Sequence, residues 1–60
     1  MDDKDVLRQI DHYLTKTQKR QYELAAEIGA PAQTVNRWLT GKAKISRAYR
    51  ALLKERGILH

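Results

Sequence analysis

Four side chains in one short segment carry most of the recognisable chemistry: Gln33, Thr34, Asn36 and Arg37, in the stretch APAQTVNRWLTGK that follows Gly29. Amides, a hydroxyl and a guanidinium are hydrogen-bonding groups, not nucleophiles or proton shuttles of ordinary reactivity. The chemistry they offer is recognition. Gln33 is suited to a bidentate pair with adenine N6 and N7, with a solvated glutamine as the plainer alternative. Asn36 and Arg37 follow one turn later on the same face. Arg37 can hold guanine O6 and N7, clamp a phosphate, or pair with a surface carboxylate. Thr34 reaches a phosphate or a thymine methyl, or else bonds its local backbone. Gln21, Lys42 and Lys44 flank this group as candidate phosphate contacts, with idle solvated side chains as the alternative for the two lysines.

Catalytic chemistry finds no comparable footing. Glu23 and Glu27 stand at i, i+4 but have no histidine or metal cluster beside them in sequence, so they read as a solvated helix face. His12 and its neighbour Asp11 point in different directions on a helix, and His12 and His60 are too far apart for a local zinc motif. The chain has no cysteine. No catalytic constellation, cofactor or metal is expected, and the protein reads as a non-enzyme. Trp38, between Val35 and Leu39, reads as a core anchor and not a stacking platform; Tyr13, Tyr22 and Tyr49 are read in the same way.

Positioning these residues requires helices. Val6, Leu7, Ile10, Tyr13 and Leu14 mark one face of a helix from about Asp5 to Thr15, with Asp2, Asp3 and Asp5 suited to its positive end. KTQKRQ then forms a polar connection into a second helix that carries Leu24, Ala25 and Ile28 and ends at Ile28. Gly29 suits the left-handed residue that closes a helix, and Pro31 the first turn of the next. That third helix is expected over Pro31–Thr40. Val35, Trp38 and Leu39 point inward; Gln33, Asn36, Arg37 and Thr40 point outward. A fourth begins near the N-cap Ser46, buries Tyr49, Leu52 and Leu53, and ends at Gly57, with Arg47, Arg50, Lys54 and Arg56 outside. No segment alternates as a strand does. The expectation is one all-α domain over residues 1–60, of four helices or of five cut short.

Size and charge narrow its partners. A chain of 60 residues supports one small core without disulfides. No apolar run approaches the ~18 residues of a membrane span, and the acidic start MDDKDV is unlike a signal peptide, so the protein is expected to be intracellular. The net charge is +5, but residues 1–15 set Lys4 and Arg8 against four aspartates, leaving +7 on residues 16–60. Such a tract favours a polyanion, nucleic acid before anionic membrane, against the bland alternative of a basic solvated surface.

Gln21-Tyr-Glu-Leu-Ala25, Gly29, Val35, Trp38-Leu39 and Thr40-Gly41-Lys42 together resemble the helix-turn-helix of the lambda-repressor-like (Cro/Xre) family, over about residues 6–59. The resemblance implies that Ala25 lets two helices cross closely, Gly29 makes the turn, and Val35 and Trp38 anchor a recognition helix. It implies a base-reading role at Gln33 and a hold on the DNA backbone at Gln21. Two departures stand out, since neither Arg20 nor Pro31 supplies the Ser or Thr cap common in that family. The function implied is a sequence-specific, double-stranded DNA-binding repressor of Cro-like size, phage or bacterial, working in the cytoplasm at the nucleoid. The alternative is an adaptor or antitoxin that uses the scaffold for protein contacts. One domain cannot easily gain the ~4–10 kcal/mol that separates specific from non-specific binding, which points to a homodimer on an inverted repeat. Ile58-Leu59 is the candidate dimer contact.

Overall fold

The structure, a computed structural model, describes residues 2–60. Four helices fold into an all-α unit: α1 (Asp3–Thr17), α2 (Gln21–Ile28), α3 (Ala32–Leu39) and α4 (Arg47–Glu55), with no strand among the described residues. None of these helices is long and apolar enough to cross a membrane.

Each boundary has a local cause. α1 starts at Asp3, earlier than expected, because the Asp2 carboxylate accepts the Asp5 N–H at 3.0 Å. That bond is also the main reason the Asp2 carboxyl lies below its ordinary range. The helix then continues through Lys16 and Thr17, which the sequence pattern assigns to the connection. It closes at Gln18 (φ 56°), and the Lys19 N–H returns to the Leu14 carbonyl at 3.1 Å. Only Gln18, Lys19 and Arg20 remain to link α1 to α2. α2 stops where Gly29 takes φ 76°, and the Ala30 N–H closes onto the Ala25 carbonyl at 2.8 Å. Pro31 is the N-cap of α3, not its first helical residue, and its carbonyl accepts the Thr34 N–H at 3.0 Å. Thr40 lies just beyond the other end of α3. Ser46 caps α4 by accepting the Tyr49 N–H at 3.2 Å.

The core gathers Val6 and Ile10 of α1, Leu24, Ala25 and Ile28 of α2, Val35 and Trp38 of α3, and Leu53 of α4. α2 packs most extensively against α3, and small Ala25 is buried between the helices. Trp38 meets Tyr49 edge to face, with ring centroids 5.2 Å apart. Leu7, Tyr13, Leu14, Leu39 and Leu52 pack around this centre as half-buried side chains. Ile45, in the loop before α4, is also buried, although no helical period announces it.

Three expectations about side chains are corrected. Ile58 and Leu59 are only 2% and 5% exposed, so they belong to the core and are not a free dimer contact. The cause is a chain reversal at Gly57, after which the N–H groups of both residues bond the Leu53 carbonyl, at 2.9 and 3.3 Å. Gln9 Oε1 then accepts the His60 N–H at 2.8 Å, tying the tail to α1. Tyr22 is not a core residue but is 60% exposed. Arg50, placed with the outer-face cations, is half-buried: its guanidinium pairs with Asp3 and also donates to the Ile45 carbonyl.

Candidate nucleic-acid interface

α3 divides its residues by face. Val35 and Trp38 are buried, whereas Gln33, Asn36 and Arg37 are exposed and Thr34 is half-buried. Successive residues advance ~100° around a helix, so Gln33 and Arg37 share the side opposite Val35, while Asn36 and Thr34 turn toward the two edges. Asn36 faces α2, where its Nδ2 donates to Gln21 Oε1 at 3.2 Å. This amide pair ties the base-reading candidate Asn36 to the phosphate candidate Gln21. Among the described residues, the two amide hydrogens of Gln21 and the Oδ1 of Asn36 have no partner.

Thr34 lies on the other edge, in a small cleft of about 170 Å³ shared with Arg37, Lys44, Ser46 and Tyr49. The local backbone bond weighed for the Thr34 hydroxyl is not made among the described residues; Thr40 makes such a bond instead, at 2.9 Å to the Asn36 carbonyl. Arg37 has no carboxylate partner among the described residues, which leaves its guanidinium available. Lys42 and Lys44 are exposed in the loop after Gly41. The Lys42 and Ala43 N–H groups close onto the Arg37 carbonyl at 2.8 and 3.2 Å, holding that loop beside the end of α3.

The opposite flank contains residues that the pattern did not single out. Arg20 and Tyr22 bracket Gln21 and line an open groove of about 700 Å³ with Ala32, Gln33 and Asn36. Arg20 donates its backbone N–H to Glu23 Oε1 at 3.0 Å, and its guanidinium is in no ion pair among the described residues. One signal could have found Tyr22: it falls ~115° from the middle of the Leu24–Ala25–Ile28 stripe.

Lys19 differs from its neighbour Arg20. Its ammonium donates to the Tyr13 hydroxyl at 3.1 Å and pairs with Glu27 at 3.3 Å, while the same hydroxyl donates to both Glu27 oxygens at 2.9 Å. Glu27 is therefore half-buried in a polar lock and not on a plain solvated face. The Tyr13 hydrogen bond, then Glu27, raises the Lys19 pKa above its ordinary value. The lock anchors the short connection that delivers Arg20 and Gln21. Among the described residues, no three His, Cys, Asp or Glu side chains gather as a metal site. Taken together, the surface can present planar hydrogen-bonding groups between two cationic flanks. Comparison with protein-family models, curated proteins and solved structures gives no match to this chain.

Proposed function

We propose that this protein is a sequence-specific double-stranded DNA-binding regulator of the lambda-repressor-like helix-turn-helix kind, a Cro-like repressor of phage or bacterial type. The observation that carries the reading is the division of α3. One side is sunk in the core through Val35 and Trp38, while the other presents Gln33 and Arg37, with Arg20 and Gln21 on one flank and Lys42 and Lys44 on the other. A helix of eight residues is ~12 Å long, on the scale of the major groove. In this reading α3 enters that groove, Gln33, Arg37, Asn36 and Thr34 meet base edges, and the flanking residues hold phosphates and fix register. Bound in the cytoplasm at its site, the protein would occlude polymerase. Two copies on an inverted repeat would supply the specificity that one short helix lacks.

Selection of bound sequences from a random duplex pool tests this. A recurrent motif, bound more tightly than its scrambled version and weakened by salt, is the expected result. Recovery of no motif, with equal weak binding to all duplexes, would refute sequence reading and favour an adaptor or antitoxin whose basic surface meets an acidic protein.

A further inference from the structure

Resting on the DNA-binding reading, we propose that Tyr22 is a contact to the DNA backbone, seating one sugar–phosphate strand in the groove between the starts of α2 and α3. Tyr22 is the one large hydrophobic side chain left exposed among the described residues, and its hydroxyl has no partner there. Its surroundings specify the occupant. Arg20, Gln21 and Tyr22 line the groove from the start of α2, Ala32, Gln33 and Asn36 line it from α3, and Leu14 and Lys19 complete it. The groove is an open trough, which accommodates a strand passing through rather than an enclosed small molecule. Its free cation is Arg20, because Lys19 on the same side is already joined to Glu27 and Tyr13. Gln33, which lines the same groove from α3, is the leading base reader, so a strand beside Gln33 lies against Tyr22. A phenol suits that strand: the hydroxyl donates to a phosphate oxygen while the ring covers deoxyribose carbon. Since Tyr22 is neutral, its contribution differs from that of a lysine or arginine. It strengthens binding to every duplex without neutralising a phosphate, and so without adding to the salt dependence.

The test compares wild type with Tyr22→Phe and Tyr22→Ala on the selected duplex and on its scrambled version, each across a salt series. Tyr22→Phe removes a hydrogen bond from a neutral donor to a charged phosphate and should weaken both duplexes by about 10-fold or more, with parallel slopes of log affinity against log salt. Tyr22→Ala should lose more, again in parallel. Replacing single phosphates by neutral methylphosphonates should identify one position where wild type is penalised and Tyr22→Phe is not. Wild-type affinity in both variants would overturn the proposal. So would a loss confined to the selected duplex, which would make Tyr22 a base contact. A loss of two-copy cooperativity with single half-site affinity intact would assign Tyr22 to a protein contact and overturn it as well. Wild type failing to bind any duplex would instead bring down the DNA-binding reading itself, an outcome distinct from these three.

Discussion

Lys19 and Arg20 are adjacent and equally charged, yet only Lys19 is held in an ion pair among the described residues, so under the proposed DNA-binding function a salt titration should tell them apart. The first perturbation is Arg20→Gln, which removes a guanidinium that has no ion pair among the described residues, just before α2. The second is the double substitution Lys19→Gln with Glu27→Gln, which removes an ion pair closed at 3.3 Å and leaves the net charge at +5. Each phosphate neutralised on B-DNA contributes ~0.9 to the slope of log affinity against log salt. Arg20→Gln should lower that slope by about 0.9. Its loss of affinity at ~50 mM salt should then exceed its loss at ~200 mM by about 3.5-fold, the fourfold salt change raised to the power ~0.9. The double variant should keep the wild-type slope within error. Any affinity it loses would come from a loosened Gln18–Arg20 connection and would be the same factor at every salt concentration. Fluorescence anisotropy on the selected duplex at four or five salt concentrations is sufficient. If the double variant loses slope while Arg20→Gln does not, Lys19 is the phosphate contact and the lock does not survive on DNA.

Other expectations follow from burial and hydrogen bonding. Trp38→Ala should cost ~3–5 kcal/mol and unfold much of the domain, as read by circular dichroism; a folded variant with a normal melt would make Trp38 a contact residue. Gln33→Ala should lose ~1–3 kcal/mol on the selected duplex only, whereas Lys42→Ala should weaken selected and scrambled duplexes alike; the reverse pattern would exchange their roles. Asp2 has a lowered folded pKa, so its stabilisation is present above the unfolded carboxylate value and is lost as pH falls through the folded one. The protection of the Asp5 amide, its exchange rate relative to an unstructured chain at the same pH, should therefore fall on acidification, and Asp2→Asn should abolish that dependence. With Ile58 and Leu59 buried, the free protein should sediment as a monomer and pair only on DNA; a stable dimer without DNA would contradict this.

Periodicity made the four helices legible because each has a stripe of apolar residues at 3.6-residue spacing facing one small core. It could not reveal Ile45, a single apolar residue in a loop whose burial depends on what surrounds it. The end of α1 escapes the pattern for a related reason. Lys16 and Thr17 look like connection, but the Thr17 hydroxyl bonds the Tyr13 carbonyl at 2.7 Å and Gln18 supplies the left-handed close. Ile58-Leu59 shows the limit of local reading most clearly, since an apolar pair after a glycine is as consistent with a sticky tail as with one folded back. The distinction comes from the Leu53 carbonyl and Gln9, the latter far away in sequence. On the candidate interface, residue types were legible and pairings were not. The Gln21–Asn36 bond spans 15 positions, and the Tyr13–Glu27 bond spans 14. Only the packing of α2 on α3 and of α1 beside α2 creates them.

The placement of helix caps connects stability to the proposed function. α1 and α4 have side-chain caps, Asp2 and Ser46, whereas the N-cap residues of α2 and α3, Arg20 and Pro31, offer no side-chain oxygen to the turns that follow, although Glu23 Oε1 accepts the Arg20 N–H at 3.0 Å. A missing cap typically costs ~1 kcal/mol, a substantial fraction of what so short a chain can hold in reserve. The two helices without an N-cap oxygen are also the two whose first residues line the groove beside Gln33. A Ser or Thr at position 20 would satisfy an N–H and strengthen the free domain, but it would fill that N–H with its own oxygen at the edge of the groove in which the sugar–phosphate strand is proposed to lie. In the DNA-bound state the backbone would supply the missing acceptors. Stability withheld from the free protein would then return as affinity in the complex, so Arg20→Thr would be expected to raise the melting temperature and to weaken all duplexes by more than Arg20→Gln, which removes the same charge without supplying a cap.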